Sequence, residues 1–122
     1  MKKKLVVSLK TPAQALEDFR QAYKAVAQKK KKGTHFEVSF DNKKDFDRFV
    51  KNIRILSLIN QTNPSSVYDL AKTAEMDVSN LNKIILFFEK AGVIKVLRKT
   101  VAGRMVTIPI VEYRKIEFDL AA

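Results

Sequence analysis

The 122-residue chain contains no cysteine and no tryptophan, and it has only one histidine, three glycines and three prolines. Without cysteine the chain can form neither a disulfide nor a thiolate zinc site, and it has no cysteine nucleophile. The single histidine, His35, argues against a histidine-rich metal site and against a Ser-His-Asp triad. Three glycines leave no glycine-rich phosphate-binding loop. We therefore expect no enzymatic activity, no cofactor and no metal site.

Long apolar runs are also absent. No segment approaches the ~20 apolar residues that a membrane span requires. The first ten residues, MKKKLVVSLK, begin with basic residues as a signal peptide does, but their apolar run is shorter than the roughly 7–15 residues of a signal sequence. The sequence therefore predicts a cytoplasmic protein with no membrane partner.

Positive charge is abundant: 24 lysines and arginines against 13 acidic residues give a formal net charge of +11. A small protein this basic usually binds a polyanion, most often nucleic acid and sometimes a membrane surface. The excess is concentrated in residues 1–33 and in residues 93–104, and the second segment contains no acid. The lysine run Lys29–Lys32 also suits a solvated helix end, because cations there complement the helix dipole.

The length fits one compact structural unit, and 46% hydrophobic residues are enough to form its core. In the first third of the chain the patterns predict a strand over residues 3–9, a helix over about 12–31 and a strand over 35–40. A further helix should follow from a cap at Asp41 to about Gln61, with a break near residues 50–52.

The remainder predicts two short helices and a β-ribbon. Ser65 or Ser66 should cap the first helix, residues 75–77 should form a tight connection, and Gly92 should end the second helix. The core face of the second helix should be Val78, Leu81, Ile85 and Phe88. Strands are expected over residues 93–97, 105–110 and 113–120. This order predicts an α+β fold: a winged helix-turn-helix over residues 42–122 with an N-terminal strand–helix–strand extension over residues 1–41.

The segment SSVYDLAKTAEMDVSNLNKIILFFEKAGVIKV resembles the helix-turn-helix of MarR-like winged-helix regulators. Its F-E-K-A-G-V-I, from Phe88 to Ile94, is similar to the signature that ends their recognition helix. Nearly the whole chain resembles a family of short predicted transcriptional regulators, which end in a strand like that of Tyr113, Ile116 and Phe118. The resemblance implies a sequence-specific double-stranded DNA-binding regulator of transcription, acting as a repressor and a homodimer. Members are also discussed as antitoxin-like repressors, which implies a toxin protein as a partner.

The resemblance places the recognition helix at about residues 78–90. Its exposed polar residues are the candidates for base contacts: Ser79, Asn80, Asn82 and Lys83. The candidates for contacts to the DNA backbone lie at the first helix and along the wing: Ser66, Lys95, Arg98, Lys99 and Arg104. Each set also fits an ordinary solvated surface. Leu86 and Phe87 depart from the pattern, because relatives tend to be polar there.

Two other functions stay open at this point. One is an antitoxin-type protein that binds a toxin and regulates its own operon. The other is an RNA-binding or ribosome-associated basic protein, although no aromatic sheet motif of the RNP1 type is present. Residues 1–41 carry more apolar side chains than one helix and two strands can bury, so we expect them to form the dimer interface.

Overall fold

The computed structural model describes residues 4–9 and 35–119. Within these ranges it has four helices and two small sheets, which confirms the expected α+β class. In chain order the elements are β1 (Lys4–Leu9), β2 (His35–Phe40), α1 (Lys43–Lys51), α2 (Ile53–Thr62), α3 (Val67–Ala74), α4 (Val78–Ala91), β3 (Lys95–Val101), β4 (Arg104–Ile110) and β5 (Lys115–Asp119). The helix predicted over about 12–31 and the run Lys29–Lys32 lie outside the described residues.

The chain divides into two compact units. The sheet unit contains the described residues up to Arg48 together with the described residues from Tyr113 onward, and the helix–hairpin unit is Phe49–Glu112. The last strand, which the sequence analysis grouped with residues 42–122, therefore belongs to the sheet unit. The predicted domain boundary after residue 41 stays a prediction, because a division into compact units does not show whether either part folds alone.

In the sheet unit, β1 lies between β2 and β5 and pairs in parallel with both. Since side chains alternate along a strand, the register places apolar residues together on one face. These residues are Leu5, Val7, Leu9, Phe36, Val38, Phe40, Ile116 and Phe118. Leu5 and Val7 are fully buried. The strand predicted over residues 35–40 and the alternation of Phe36, Val38 and Phe40 are thus confirmed.

The opposite face of this sheet is mostly polar. Lys4 Nζ lies 2.8 Å from Glu117 Oε1, and the Ser8 and Ser39 hydroxyls are 3.2 Å apart. These cross-strand pairs satisfy polar side chains on this face, where Lys115 and Glu117 are exposed and Ser8 is buried.

Aromatic rings cover the apolar side of the sheet unit. The Phe46 ring packs edge-on against Phe40 and Phe118, with centroids 6.2 and 6.1 Å away. Tyr113 packs against Phe36 at 6.1 Å, and burial raises the pKa of the Tyr113 phenol well above its usual range.

The cap of the first helix lies one residue later than predicted. Asn42, and not Asp41, caps α1, because the Asn42 side-chain oxygen accepts a hydrogen bond from the backbone N–H of Asp45 at 2.8 Å. The expectation for Asp41 was wrong because aspartate and asparagine side chains can both supply the capping oxygen. The backbone conformation decides which of the two reaches the N–H of Asp45. The predicted break is confirmed at Asn52, between α1 and α2.

The helix–hairpin unit has its own core, which α2, α3 and α4 form together with Phe49. The Phe49 and Phe88 rings are 6.0 Å apart and both are fully buried. Strand β4 contacts α2 and α3, so one strand of the hairpin joins this core. Within residues 4–9 and 35–119, no helix combines the length and the apolar character needed to cross a membrane.

Candidate nucleic-acid interface

A connection of only three residues joins α3 to α4. The Ser66 hydroxyl caps α3 by accepting from the Asp69 N–H at 3.0 Å, as the sequence predicts. Glu75 ends the helix in the left-handed region (φ 56°), and the Met76 N–H donates to the Ala71 carbonyl. This hydrogen bond satisfies a carbonyl at the helix end and turns the chain sharply. The small residues Ala71 and Ala74 are both buried, so the two helices can pack closely.

Helix α4 begins with a second side-chain cap and then shows two distinct sides. The Asp77 carboxylate accepts from the Asn80 N–H at 3.1 Å. The buried side contains Leu81, Ile85 and Phe88, each with no exposed surface. Gly92 ends the helix in the left-handed conformation, with φ at 82°, as predicted.

All four candidates for base contact lie exposed in the first two turns of α4. Ser79, Asn82 and Lys83 share one face of the helix, because they are spaced three and four residues apart. Asn80 is exposed beside them, and only its backbone N–H is taken by the cap. The sequence placed these side chains correctly with respect to solvent, and their contact with bases stays a prediction.

Three apolar positions of α4 differ in burial. Val78 was expected in the core and is 40% exposed, so this expectation was wrong. The helical spacing of Leu81, Ile85 and Phe88 extends back to Val78, but burial on this side of α4 begins only at Leu81. Leu86 is also exposed, whereas Phe87 is half-buried and its ring lies 5.8 Å from that of Phe88.

After α4 the chain forms an antiparallel hairpin of β3 and β4. Its two-residue turn has positive φ at both central positions, 53° at Ala102 and 78° at Gly103. This is the pattern of a type I′ turn, whose twist matches that of the paired strands. All residues of β3 are exposed except Val96, so most of this strand faces solvent.

The cations of the hairpin lie on two different faces. In the observed register Lys99 pairs with Val106 and Val101 pairs with Arg104, so Lys99 and Arg104 are on the same face. Lys95 shares that face and forms an ion pair with Glu112, with 3.1 Å between Nζ and Oε1. Arg98 is on the opposite face.

A groove of about 440 Å³ separates the start of α3 from the hairpin face that carries Lys99. It is lined by Ser65, Ser66, Lys99, Val101, Val106 and Ile108. The structure thus brings together Ser66 and Lys99, two candidates for backbone contact that are 33 positions apart in the sequence.

Arg98 is engaged within the protein. Its Nη1 and Nη2 donate to the two carboxylate oxygens of Glu89 at 2.9 and 2.8 Å. These hydrogen bonds lower the pKa of Glu89 and raise that of Arg98. This pair is not predictable from the sequence, because nothing in the spacing of a helix-end glutamate and a strand arginine indicates that their side chains meet.

No group of three or more histidine, cysteine, aspartate or glutamate side chains suited to a metal ion occurs in the part of the chain that the structure describes.

The fold and this geometry define a basic α+β protein in which two closely connected helices precede an exposed, cationic hairpin. The chain belongs to the HVO_A0114 family, whose model matches residues 50–118, more than half of its length. The matched segment includes all of α2, α3, α4, β3 and β4. No curated protein and no solved structure matches the chain.

Proposed function

We propose that the protein is a sequence-specific double-stranded DNA-binding regulator of transcription, of the MarR-like winged helix-turn-helix type. In this proposal it acts in the cytoplasm as a homodimeric repressor and has no catalytic activity. Helix α4 is the recognition helix, and the β3–β4 hairpin is the wing.

The observation that carries the proposal is the exposed polar start of α4 directly after a three-residue connection from α3. The connection and the buried side of α4 fix the helix on the core, while Ser79, Asn82 and Lys83 remain accessible on one face. The major groove of B-DNA, about 12 Å wide, admits one helix. Asparagine can bind adenine through two hydrogen bonds, and lysine can bind guanine or a phosphate.

The hairpin and the start of α3 support backbone contacts. Residues 95–104 contain four cations and no acid, and Lys99 and Arg104 are exposed on one face. Ser66 lines the same groove as Lys99, and its hydroxyl hydrogen is not used in capping because the oxygen accepts there. A phosphate in this groove could therefore meet a hydroxyl and an ammonium group together.

A dimer would extend such a site. One helix-turn-helix covers only a few base pairs, and two-fold dimers read half-sites about one helical turn apart. In the sheet unit, Leu9 and Phe118 are exposed apolar residues on the apolar face of the sheet. Sedimentation equilibrium of the full chain should therefore give the dimer mass, and Leu9→Lys should shift the equilibrium towards the monomer. A monomeric wild-type chain would contradict the proposed homodimer, and an unchanged dimer in this variant would place the interface elsewhere.

The test of DNA binding is a salt titration of the full chain with a fluorescent duplex. If a dimer neutralises roughly 6–10 phosphates, affinity should fall about 10³–10⁵-fold between 50 and 200 mM salt. The same titration with single-stranded RNA of equal length separates the alternatives. Tighter binding to the RNA at equal ionic strength would favour the RNA-binding function, and salt-insensitive binding to the duplex would contradict the proposal.

A further inference from the structure

Strand β3 is the less packed strand of the hairpin. Apart from Val96, β3 is exposed throughout, whereas β4 is half-buried or buried from Val106 to Ile110. Val96 and Pro109 are cross-strand partners, so β3 packs best at the base of the hairpin. Beyond Val96, the position of β3 relative to α4 depends on its pairing with β4 and on side-chain contacts between β3 and α4.

The Glu89–Arg98 ion pair is such a contact. Glu89 lies in the last turn of α4, and Arg98 is at the middle position of β3, two residues beyond Val96 towards the turn. Both guanidinium Nη atoms bind separate carboxylate oxygens, at 2.8 and 2.9 Å. This two-point contact restricts the relative orientation of the two side chains as well as their distance. The planar guanidinium group matches the carboxylate only in a narrow range of orientations.

We propose that Glu89 and Arg98 are positioning residues that set the angle of the hairpin to the recognition helix. The inference rests on the proposed function, because it concerns how the wing reaches DNA. Arg98 then does not bind a phosphate itself. It acts by placing Lys99 and Arg104, which lie on the opposite face of the hairpin. Glu89 supports DNA binding despite its negative charge.

A direct phosphate contact by Arg98 makes the opposite prediction. In that case Glu89 competes with DNA for the guanidinium, and removal of its charge should tighten binding. If the pair positions the hairpin, removal should loosen the hairpin and weaken binding. Arg98→Ala weakens binding under both interpretations, so it cannot separate them.

The deciding experiment measures the affinity of full-length variants for a 20-base-pair duplex at several salt concentrations. Glu89→Gln should weaken binding about fivefold, the scale expected for a partly exposed ion pair. The matched control is Glu112→Gln, which makes the same charge change and removes the carboxylate that pairs with Lys95 on the hairpin. The control should leave affinity equal or slightly tighter, because less negative charge faces the DNA.

A charge exchange tests the pair itself. The double variant Glu89→Arg with Arg98→Glu keeps the net charge and can re-form the ion pair in reverse. It should bind within about twofold of the wild type, whereas Arg98→Glu alone should bind far more weakly. Tighter binding in Glu89→Gln than in Glu112→Gln, or an exchanged pair as weak as Arg98→Glu alone, would overturn the proposal.

Residual dipolar couplings of the hairpin amides provide a readout that does not need DNA. In Glu89→Gln the hairpin should change its orientation or order relative to α4, and in Glu112→Gln it should not. Unchanged couplings in Glu89→Gln would reject the positioning role. If the wild-type chain fails to bind the duplex while the couplings change as expected, the proposed function fails and the structural role of the pair stands.

Discussion

The three-stranded sheet and the two-stranded hairpin contain similar apolar residues, but they differ in how these residues are covered. Leu5 and Val7 in the sheet are fully buried, whereas Leu97 and Val101 in the hairpin are nearly half exposed and Met105 is 68% exposed. The sheet gathers its apolar residues on one face, and aromatic rings pack against that face and leave Leu9 and Phe118 partly exposed. The hairpin places exposed apolar residues and cations on the same strand.

The difference indicates separate roles for the two regions. Burial of apolar surface stabilises a fold, so the sheet contributes mainly to stability. A two-stranded hairpin that leaves most of one strand in solvent contributes less by burial, and its exposed strand depends on the turn and on cross-strand pairs. Its exposed cations and apolar residues are then available to a partner.

The largest expected difference between the sheet and the hairpin is in their contribution to the free energy of unfolding. Leu5→Ala in the sheet should lower the free energy of unfolding by about 2–5 kcal/mol, because it leaves a cavity among fully buried side chains. Leu97→Ala makes the same chemical change on the exposed hairpin and should stay within about 0.5 kcal/mol. Urea unfolding of both variants measures the two values. Equal losses of unfolding free energy would show that Leu97 is packed as tightly as Leu5.

The next largest effect concerns sequence preference. Asn82→Ala on the exposed face of α4 should lower discrimination at one base pair by about 1–3 kcal/mol, and Lys83→Ala should also change the preferred sequence. Gln61→Ala provides the control, since it removes an exposed amide side chain from α2. Binding to a randomised duplex library, read by sequencing, measures the preference. If the control alters preference as much as Asn82→Ala does, α4 is not the reading helix.

A third prediction concerns alkaline pH and the sheet unit. Burial raises the pKa of Tyr113, so the phenol stays neutral in the folded chain at a pH where it ionises in the unfolded chain. The stability it contributes is complete below the unfolded pKa of about 10 and declines as the pH rises further, by about 1 kcal/mol at pH 10.5. Tyr113→Phe should lack this decline. Tyr68→Phe, which alters a 61% exposed tyrosine of α3, should retain it.

The smallest effect concerns acid pH and the hairpin. The hydrogen bonds from Arg98 lower the pKa of Glu89, so their contribution is present above the ordinary glutamate value of about 4.3 and is lost as the pH falls through the lowered one. In Arg98→Ala the carboxyl pKa of Glu89 should rise towards its ordinary value. Carbon NMR of the labelled side chain measures it. An unchanged titration of Glu89 in this variant would show that Arg98 does not bind it in solution.

The local parts of the fold were predictable because local chemistry determines them. Ser66 and Gly92 have the side chain and the backbone freedom that helix ends require, and both occupy the expected positions. Local signals failed where two neighbouring residues could do the same task, as at Asp41 and Asn42, and where a periodic pattern ran past the packed region, as at Val78.

The long-range parts were not predictable from one sequence. The parallel pairing of β5 with β1 joins residues more than 100 positions apart, and the alternation of β5 indicates a strand without naming its neighbour. The meeting of Glu89 with Arg98, and that of Ser66 with Lys99, likewise depend on how α3, α4 and the hairpin pack. The candidate residues were therefore available from the sequence, but their grouping was not.

We propose that the hairpin, and not the sheet, binds nucleic acid. Two exposed strand lysines test it most directly, Lys99 on the hairpin and Lys115 on the sheet. Each is replaced by alanine in the full chain, and the salt dependence of duplex binding is compared with that of the wild type. Lys99→Ala should reduce the slope of log affinity against log salt by about one per bound protomer, and Lys115→Ala should leave it unchanged. Equal slopes in the two variants would contradict nucleic-acid binding by the hairpin.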